Sequence, residues 1–213
     1  MEITWLGHSS LRIRSADVTL VTDPYADSVG FSMPPQAASI VTVSNDHPNH
    51  SHLQALAGTP RVVMGPSECE SGDIYLLGIG TRGPAREGQE GRHVNTVFII
   101  KAEGRTLCHV GDLSQMLSPG QVEALGQTDV LFVPAGGICT LSPAQVVELV
   151  NLIGPRIVVP IHYRADGVTV ELEPVDGFLK EMGVSEVAPQ ARLNVTLTNL
   201  PRERRVVVLQ RAR

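Results

Sequence analysis

Long apolar runs are missing from this chain of 213 residues, and so is any surplus of positive charge. No stretch approaches the roughly 20 apolar residues that a transmembrane helix needs. The N-terminus opens directly into a strand-like pattern, where a signal peptide would carry a basic and then an apolar region. These absences argue against a membrane partner and make the cytoplasm the expected compartment. Lys and Arg number 17 against 22 Asp and Glu, a net charge of −5, which gives no general electrostatic reason to bind nucleic acid. The basic residues gather only near the C-terminus (Arg202, Arg204, Arg205, Arg211, Arg213), interleaved with Val and Leu as on a strand with solvated edges. Cysteine is scarce too. Cys69, Cys108 and Cys139 are odd in number, widely spaced and form no metal-type pair. Cys108 and Cys139 lie in apolar surroundings and read as buried thiols. Tandem repeats at solenoid periods are absent.

What remains is an ordinary globular composition, 42% hydrophobic and 18% charged, long enough to bury a substantial core as a single domain over residues 1–213. Short β-rich runs at 2–6, 11–14 and 18–22 predict an antiparallel meander. The loop 23–35 is rich in Pro, Gly and Ser; its length marks it as a lid, with Phe31 and Met33 exposed. A strand over 39–43, a short helix at 52–57 and strands at 61–64 and 74–79 follow. A long polar loop over 80–91 leads to a hairpin of 94–101 with 106–110. Beyond it strands and helices alternate. Ser118-Pro119 and Ser142-Pro143 supply an N-cap and a first-turn proline for helices over 119–125 and 143–153, the second stopped by Gly154. Strands at 130–133 and 156–160, a helix at 174–182, and strands near 192–197 and 205–210 complete the chain. This order predicts an α/β fold, two sheets covered by helices outside, with no linker to divide it.

Polar residues recur where these strands end: His8, Asp23, His47, His50, Asp112 and His162. One rim of a sheet sandwich, fed from several strand ends, is where distant segments build a site. Two imidazoles three residues apart in Ser44-Asn45-Asp46-His47-Pro48-Asn49-His50 can converge on one cation. Asn45 and Asn49 in the same loop offer uncharged amides, poorer ligands for a transition metal than imidazole or carboxylate.

The segment Ser44–His50 resembles the H-x-H-x-D-H loop of the metallo-β-lactamase-fold hydrolases. Trp5-Leu6-Gly7-His8-Ser9-Ser10 and Thr22-Asp23-Pro24 resemble that family's opening strands. His109-Val110-Gly111-Asp112-Leu113 resembles the strand that carries its bridging aspartate. Residues 129–137, followed by Val158-Val159-Pro160-Ile161-His162-Tyr163, resemble its later strands. The likeness runs nearly end to end, to the small stand-alone bacterial and archaeal members described as metal-dependent hydrolases. It implies a four-layer αββα sandwich and a site where two ions, usually zinc, share a water and a carboxylate. Carried over position by position, His47, His50, Asp112 and His162 are the retained metal ligands, with Asp112 as the bridge. Asn45, Asn49 and Pro84 stand where a histidine, an aspartate and a histidine belong. That depleted set implies one divalent ion at most, zinc or another, held by His50, Asp112 and His162 with aid from His47, or no ion at all.

Several positions keep two readings. His8 is favoured as a group that orients its neighbours over a direct ligand. Asp23 reads as an acceptor behind the ligands or as a turn residue. His109, three residues before Asp112 on a strand, is expected on the opposite face, in the core or supporting the site. His93 is a substitute ligand or a solvated loop group. Asp46 and Asp112 are the candidate catalytic proton acceptors, with capping of a helix at His52 as the other role for Asp46. Two functions follow. One is a hydrolase acting on an ester, lactone or phosphodiester; the other is a catalytically inactive descendant that binds a small ligand or partner in the old cleft. A nuclease role ranks last for want of a basic surface, and the oligomeric state stays open, a homo-oligomer included.

Overall fold

A computed structural model describes residues 1–84 and 94–212. The first half holds β1 (Glu2–Gly7), β2 (Ser10–Ser15), β3 (Val18–Thr22), β4 (Gln36–Ala37), β5 (Ile40–Val43), α1 (Pro48–Ser51), β6 (Leu56–Ala57) and β7 (Arg61–Met64). Next come β8 (Ser67–Ser71), β9 (Ile74–Arg82), β10 (Val94–Ala102), β11 (Arg105–His109), α2 (Pro119–Leu125) and β12 (Val130–Pro134). The chain closes with α3 (Pro143–Ile153), β13 (Ile157–Ile161), α4 (Asp176–Glu181), β14 (Leu193–Asn194) and β15 (Arg205–Val206).

Two sheets face each other, one ordered β14-β1-β2-β3-β5-β7 and the other β15-β13-β12-β11-β10-β9-β8. Short turns make β1, β2 and β3 an antiparallel meander, whereas β3, β5 and β7 run parallel. In the second sheet β11, β12, β13 and β15 are parallel. β12 and β13 are buried along their whole length, as apolar strands covered on both faces must be. Between the sheets, Ile3, Trp5 and Ile13 share one core with Phe98, Ile100 and Leu107. α3 buries Val146, Leu149 and Val150, an i, i+3, i+4 stripe, and packs against α2 and α4. The architecture is an α/β sandwich built on two facing sheets. Among the described residues no helix is long and apolar enough to cross a membrane.

Capping chemistry explains where the sequence reading succeeds and where it slips. Ser118 with Gln121 and Ser142 with Gln145 form reciprocal capping boxes, each followed by a first-turn proline, so α2 and α3 start where expected. An α-helical turn not expected from the sequence lies at Pro48–Ser51, where the His47 side chain caps it and Pro48 opens it, and the helix expected at 52–57 is reduced to a 3-10 turn at Leu53–Ala55. The sequence pattern does not predict β8, which is polar with only Cys69 buried. The two tail strands are two residues each, shorter than expected.

Loop 23–35 is packed rather than an open lid. Tyr25, Val29 and Met33 are buried with Leu6 and Val21, and the Tyr25 hydroxyl donates to the Leu6 carbonyl at 2.7 Å. Phe31 is half-buried edge-on to Tyr25, with the Arg211 guanidinium 3.7 Å above its ring. Each buried anchor stabilises the closed loop by about 1.5–3 kcal/mol, which corrects the expectation that Phe31 and Met33 are exposed.

Candidate metal centre

Strand ends from both sheets converge on a cavity of about 190 Å³. His8 leaves β1, His50 follows β5 through α1, Asp112 follows β11, and His162 leaves β13. His8 (φ 48°), Asp23 (φ 39°) and His162 (φ 52°) adopt left-handed backbone, which costs on the order of 1–2 kcal/mol per non-glycine residue. Surrounding hydrogen bonds hold these turns: the His162 amide donates to the His8 carbonyl at 2.9 Å, and the Asp23 amide to Thr42 at 2.8 Å. At Gly111 (φ +61°) a Cβ would lie 2.5 Å from both Asn95 Oδ1 and Ser44 Cβ. Only glycine lets the chain turn here and deliver Asp112.

Asp23, fully buried, accepts from the Ser44 amide at 2.8 Å, the Ser44 hydroxyl at 2.5 Å and His50 Nδ1 at 2.9 Å. With its proton held on Nδ1, His50 presents the Nε2 lone pair 3.5 Å from Asp112 Oδ2. His162 Nε2 lies 3.6 Å from Asp112 Oδ1. The Asp112 amide donates to Asn95 Oδ1 at 2.9 Å, and Asn95 Nδ2 is tied to Thr81 and Val110. A lone pair facing a carboxylate oxygen at this range repels unless a proton or a cation lies between. A tetrahedral ion with bonds of about 2.0–2.1 Å spaces its ligand atoms about 3.3–3.4 Å apart, so these residues fit a divalent ion.

His8 is 2% exposed. Its ring centroid lies 4.2 Å from that of His162 and 5.1 Å from that of His50. Neither of its nitrogens has a hydrogen-bond partner among the described residues. Burial, and then His162, His50 and His47, hold its pKa well below the usual imidazole value, so the ring is neutral near pH 7. Nitrogens of His8, His50 and His162 all lie within 4.8 Å of one another.

Other expected site residues fall elsewhere or do other things. His47 lines the cavity, but its Nδ1 accepts from the Asn49 amide at 3.2 Å. With Nδ1 accepting, a neutral ring carries its proton on Nε2. Asn45 Oδ1 accepts from the His47 amide at 3.1 Å, its Nδ2 donates to Ser44 Oγ at 3.2 Å, and Asn49 Oδ1 accepts from Ser28 Oγ at 2.9 Å. Asp46 is exposed and does not line the cavity, and the cap of α1 is the His47 ring. The turn at Leu53–Ala55 has His52 as its N-cap with no side-chain hydrogen bond, so Asp46 does not cap it. His109, the last residue of β11, is fully buried and donates from Nε2 to the Ser9 carbonyl at 2.9 Å; burial lowers its pKa. Pro84 is exposed, and His93 lies outside the described residues. A Cβ on Gly136 would lie 2.5 Å from the His162 carbonyl, so that glycine serves close packing beneath the site.

Cys139 corrects the expectation of a buried thiol in apolar surroundings. It is half-buried, lines the cavity and places Sγ within 4.8 Å of ligand atoms of Asp112 and His162. Gly137 and Ile138, both at φ 56°, make the turn that precedes it. Asn95 and Ser44, which position Asp112 and Asp23, also escape the sequence reading. Their only local signal is a polar residue inside or just beyond an apolar strand.

A family model described as the beta-lactamase superfamily domain matches residues 2–162. A UPF0173 protein of Pyrococcus abyssi is 28% identical, the match covering 78% of this chain and 85% of the relative. A UPF0173 metal-dependent hydrolase of Pyrobaculum calidifontis is 25% identical, with 77% and 84% covered. Among solved structures, a Thermotoga maritima protein of the metallo-β-lactamase superfamily, proposed to be a zinc-dependent hydrolase, is 33% identical. It superposes with a TM-score of 0.78 over 98% of each chain.

Proposed function

The chain belongs to the metallo-β-lactamase superfamily, and on that footing we propose that it is a metal-dependent hydrolase of an ester, lactone or phosphodiester. The observation that carries the reading is the buried line Asp23–His50–Asp112–His162, in which one carboxylate fixes an imidazole whose lone pair aims at a second carboxylate. His50, Asp112 and His162 would hold one divalent ion, zinc in the first instance. Bound there, it supplies Lewis acidity, polarising a carbonyl or phosphoryl oxygen and acidifying water. The chain's own residues do the rest. Asp112 accepts the proton of the attacking water through a carboxylate oxygen. His47 donates from Nε2 to the oxygen that gains charge, and the buried walls keep bulk water from screening either contact. At about 190 Å³ the cavity is smaller than the roughly 300–1,000 Å³ of drug-sized ligand sites. The scissile group enters it, and the rest of the substrate lies along the rim at Val170–Leu172.

Protein purified without chelator should carry close to one equivalent of a divalent transition metal. It should hydrolyse at least one class in a panel of esters, lactones and phosphodiesters, and both chelation and Asp112→Asn should abolish that activity. A content below about a tenth of an equivalent, with no uptake on addition, would refute the reading, since the chemistry needs a bound ion.

The hydrogen bonds that occupy Asn45 and Asn49 favour a second reading, a cleft that binds ligand without turnover. Combining Asn45→His, Asn49→Asp and Pro84→His should raise zinc stoichiometry from one toward two and increase hydrolysis. Unchanged uptake would show that the family's ligand positions do not carry over to these three.

A further inference from the structure

We propose that His8 is a direct ligand, and that the ion is held by the imidazoles of His8, His50 and His162 beside Asp112 rather than by a set that includes His47. This rests on the metal-dependent reading above and specifies which atoms do the holding. A buried imidazole is normally hydrogen-bonded, yet neither nitrogen of His8 has such a partner among the described residues, while the ring lines the cavity. Its position is not free to drift, because its carbonyl accepts from the His162 amide. Two of the three imidazoles thus come from strand ends of opposite sheets, fixed to one another through backbone.

The remaining geometry agrees. His50 is oriented by Asp23, with Nε2 turned toward Asp112. The three imidazole nitrogens lie within 4.8 Å of one another, which a small closure brings to the spacing of about 3.3–3.4 Å around a tetrahedral ion. His47 is committed elsewhere, since its Nδ1 caps α1. The uncharged Asn49 side chain bonds Ser28, and His8 takes the place left in the coordination shell. Three neutral imidazoles and one carboxylate make a nitrogen-rich site. Such a site favours zinc, cobalt, nickel or copper over magnesium, calcium or manganese.

The test is metal binding by the stripped full-length protein, read by chelator competition for zinc and by the visible spectrum of the cobalt form. His8→Asn is the variant of choice because asparagine tolerates the φ of 48° at this position. Zinc affinity should fall more than about 100-fold in His8→Asn, beyond the 10–100-fold that follows loss of a merely orienting neighbour, and the cobalt spectrum should change. In His47→Ala the affinity should stay within about 10-fold, the low end of that range. X-ray absorption of the zinc-loaded wild type and of zinc-loaded His47→Ala should each count three imidazoles, a readout that leaves His8 in place and stands even if His8→Asn folds poorly. Two imidazoles, or a cobalt spectrum unmoved by His8→Asn, overturn the assignment while leaving the hydrolase reading intact. A wild type that binds neither zinc nor cobalt overturns both.

Discussion

Replacing Asp23 with asparagine should separate the folding role of this carboxylate from its role in aiming His50. The substitution keeps the volume and tolerates the φ of 39°. With the surrounding atoms in place, the new amide oxygen keeps the Ser44 amide bond, and the Ser44 hydroxyl can rotate to accept from the new amide nitrogen. The contact that cannot be kept as it stands is the one to His50 Nδ1, now 2.9 Å, because a donor would face a donor. The imidazole answers by moving its proton to Nε2, where it points at Asp112 Oδ2 across 3.5 Å. One charge-assisted hydrogen bond is lost, so the metal-free protein should lose about 1.5–3 kcal/mol. Zinc affinity should fall by 10–100-fold, about 1.4–2.7 kcal/mol, because the lone pair that would meet the ion now carries a proton. Urea denaturation of the metal-free protein reads the first quantity, and chelator competition reads the second. Zinc affinity within about threefold of wild type, whatever happens to stability, would refute the tautomer argument, since ~0.7 kcal/mol is too small for a lost aiming contact.

Gly111→Ala should cost more than about 2 kcal/mol in a urea melt, combining left-handed strain with a Cβ 2.5 Å from Asn95 Oδ1 and Ser44 Cβ; a cost under ~0.5 kcal/mol, ordinary for a surface change, would show that the turn relaxes freely. The depressed pKa of His109, caused mainly by burial, means the unfolded chain binds the extra proton first. Its contribution is therefore present above the unfolded value near 6.5 and is lost as pH falls from there toward the folded value. His109→Gln, which can still donate to Ser9, should flatten the acid limb of stability by up to about 1.4 kcal/mol per pH unit. Identical limbs in the two proteins would count against a neutral buried His109.

Local chemistry is legible in the sequence wherever it acts over three or four residues. The Ser-Pro openings and Gln partners at 118–121 and 142–145 set α2 and α3, and apolar runs set β12 and β13. Polar β8 is not legible, because pairing with β9 makes it a strand and its own side chains do not. At the site, the strand-end positions are visible one by one, but their mutual geometry is not. The Asn49 amide donating to the His47 ring decides a tautomer, and Asn95 decides where Asp112 points. Cys139 joins the group through a tight turn at Gly137 and Ile138. The Asn95–Asp112 contact spans the fold, the other two are set by backbone turns, and no hydrophobic periodicity encodes any of them.

The backbone bond from His162 to His8 also marks a seam. His8 and His50 belong to the first sheet, Asp112 and His162 to the second, and global unfolding requires these sheets to part. An ion seated among the four would rivet the seam: opening must release it, so its binding free energy adds to the unfolded–folded gap and, where the seam is still open in the transition state, slows unfolding in preference to speeding folding. The lifetime of the folded chain, read by proteolysis or by hydrogen exchange of β1 and β13, would then track the free zinc around it.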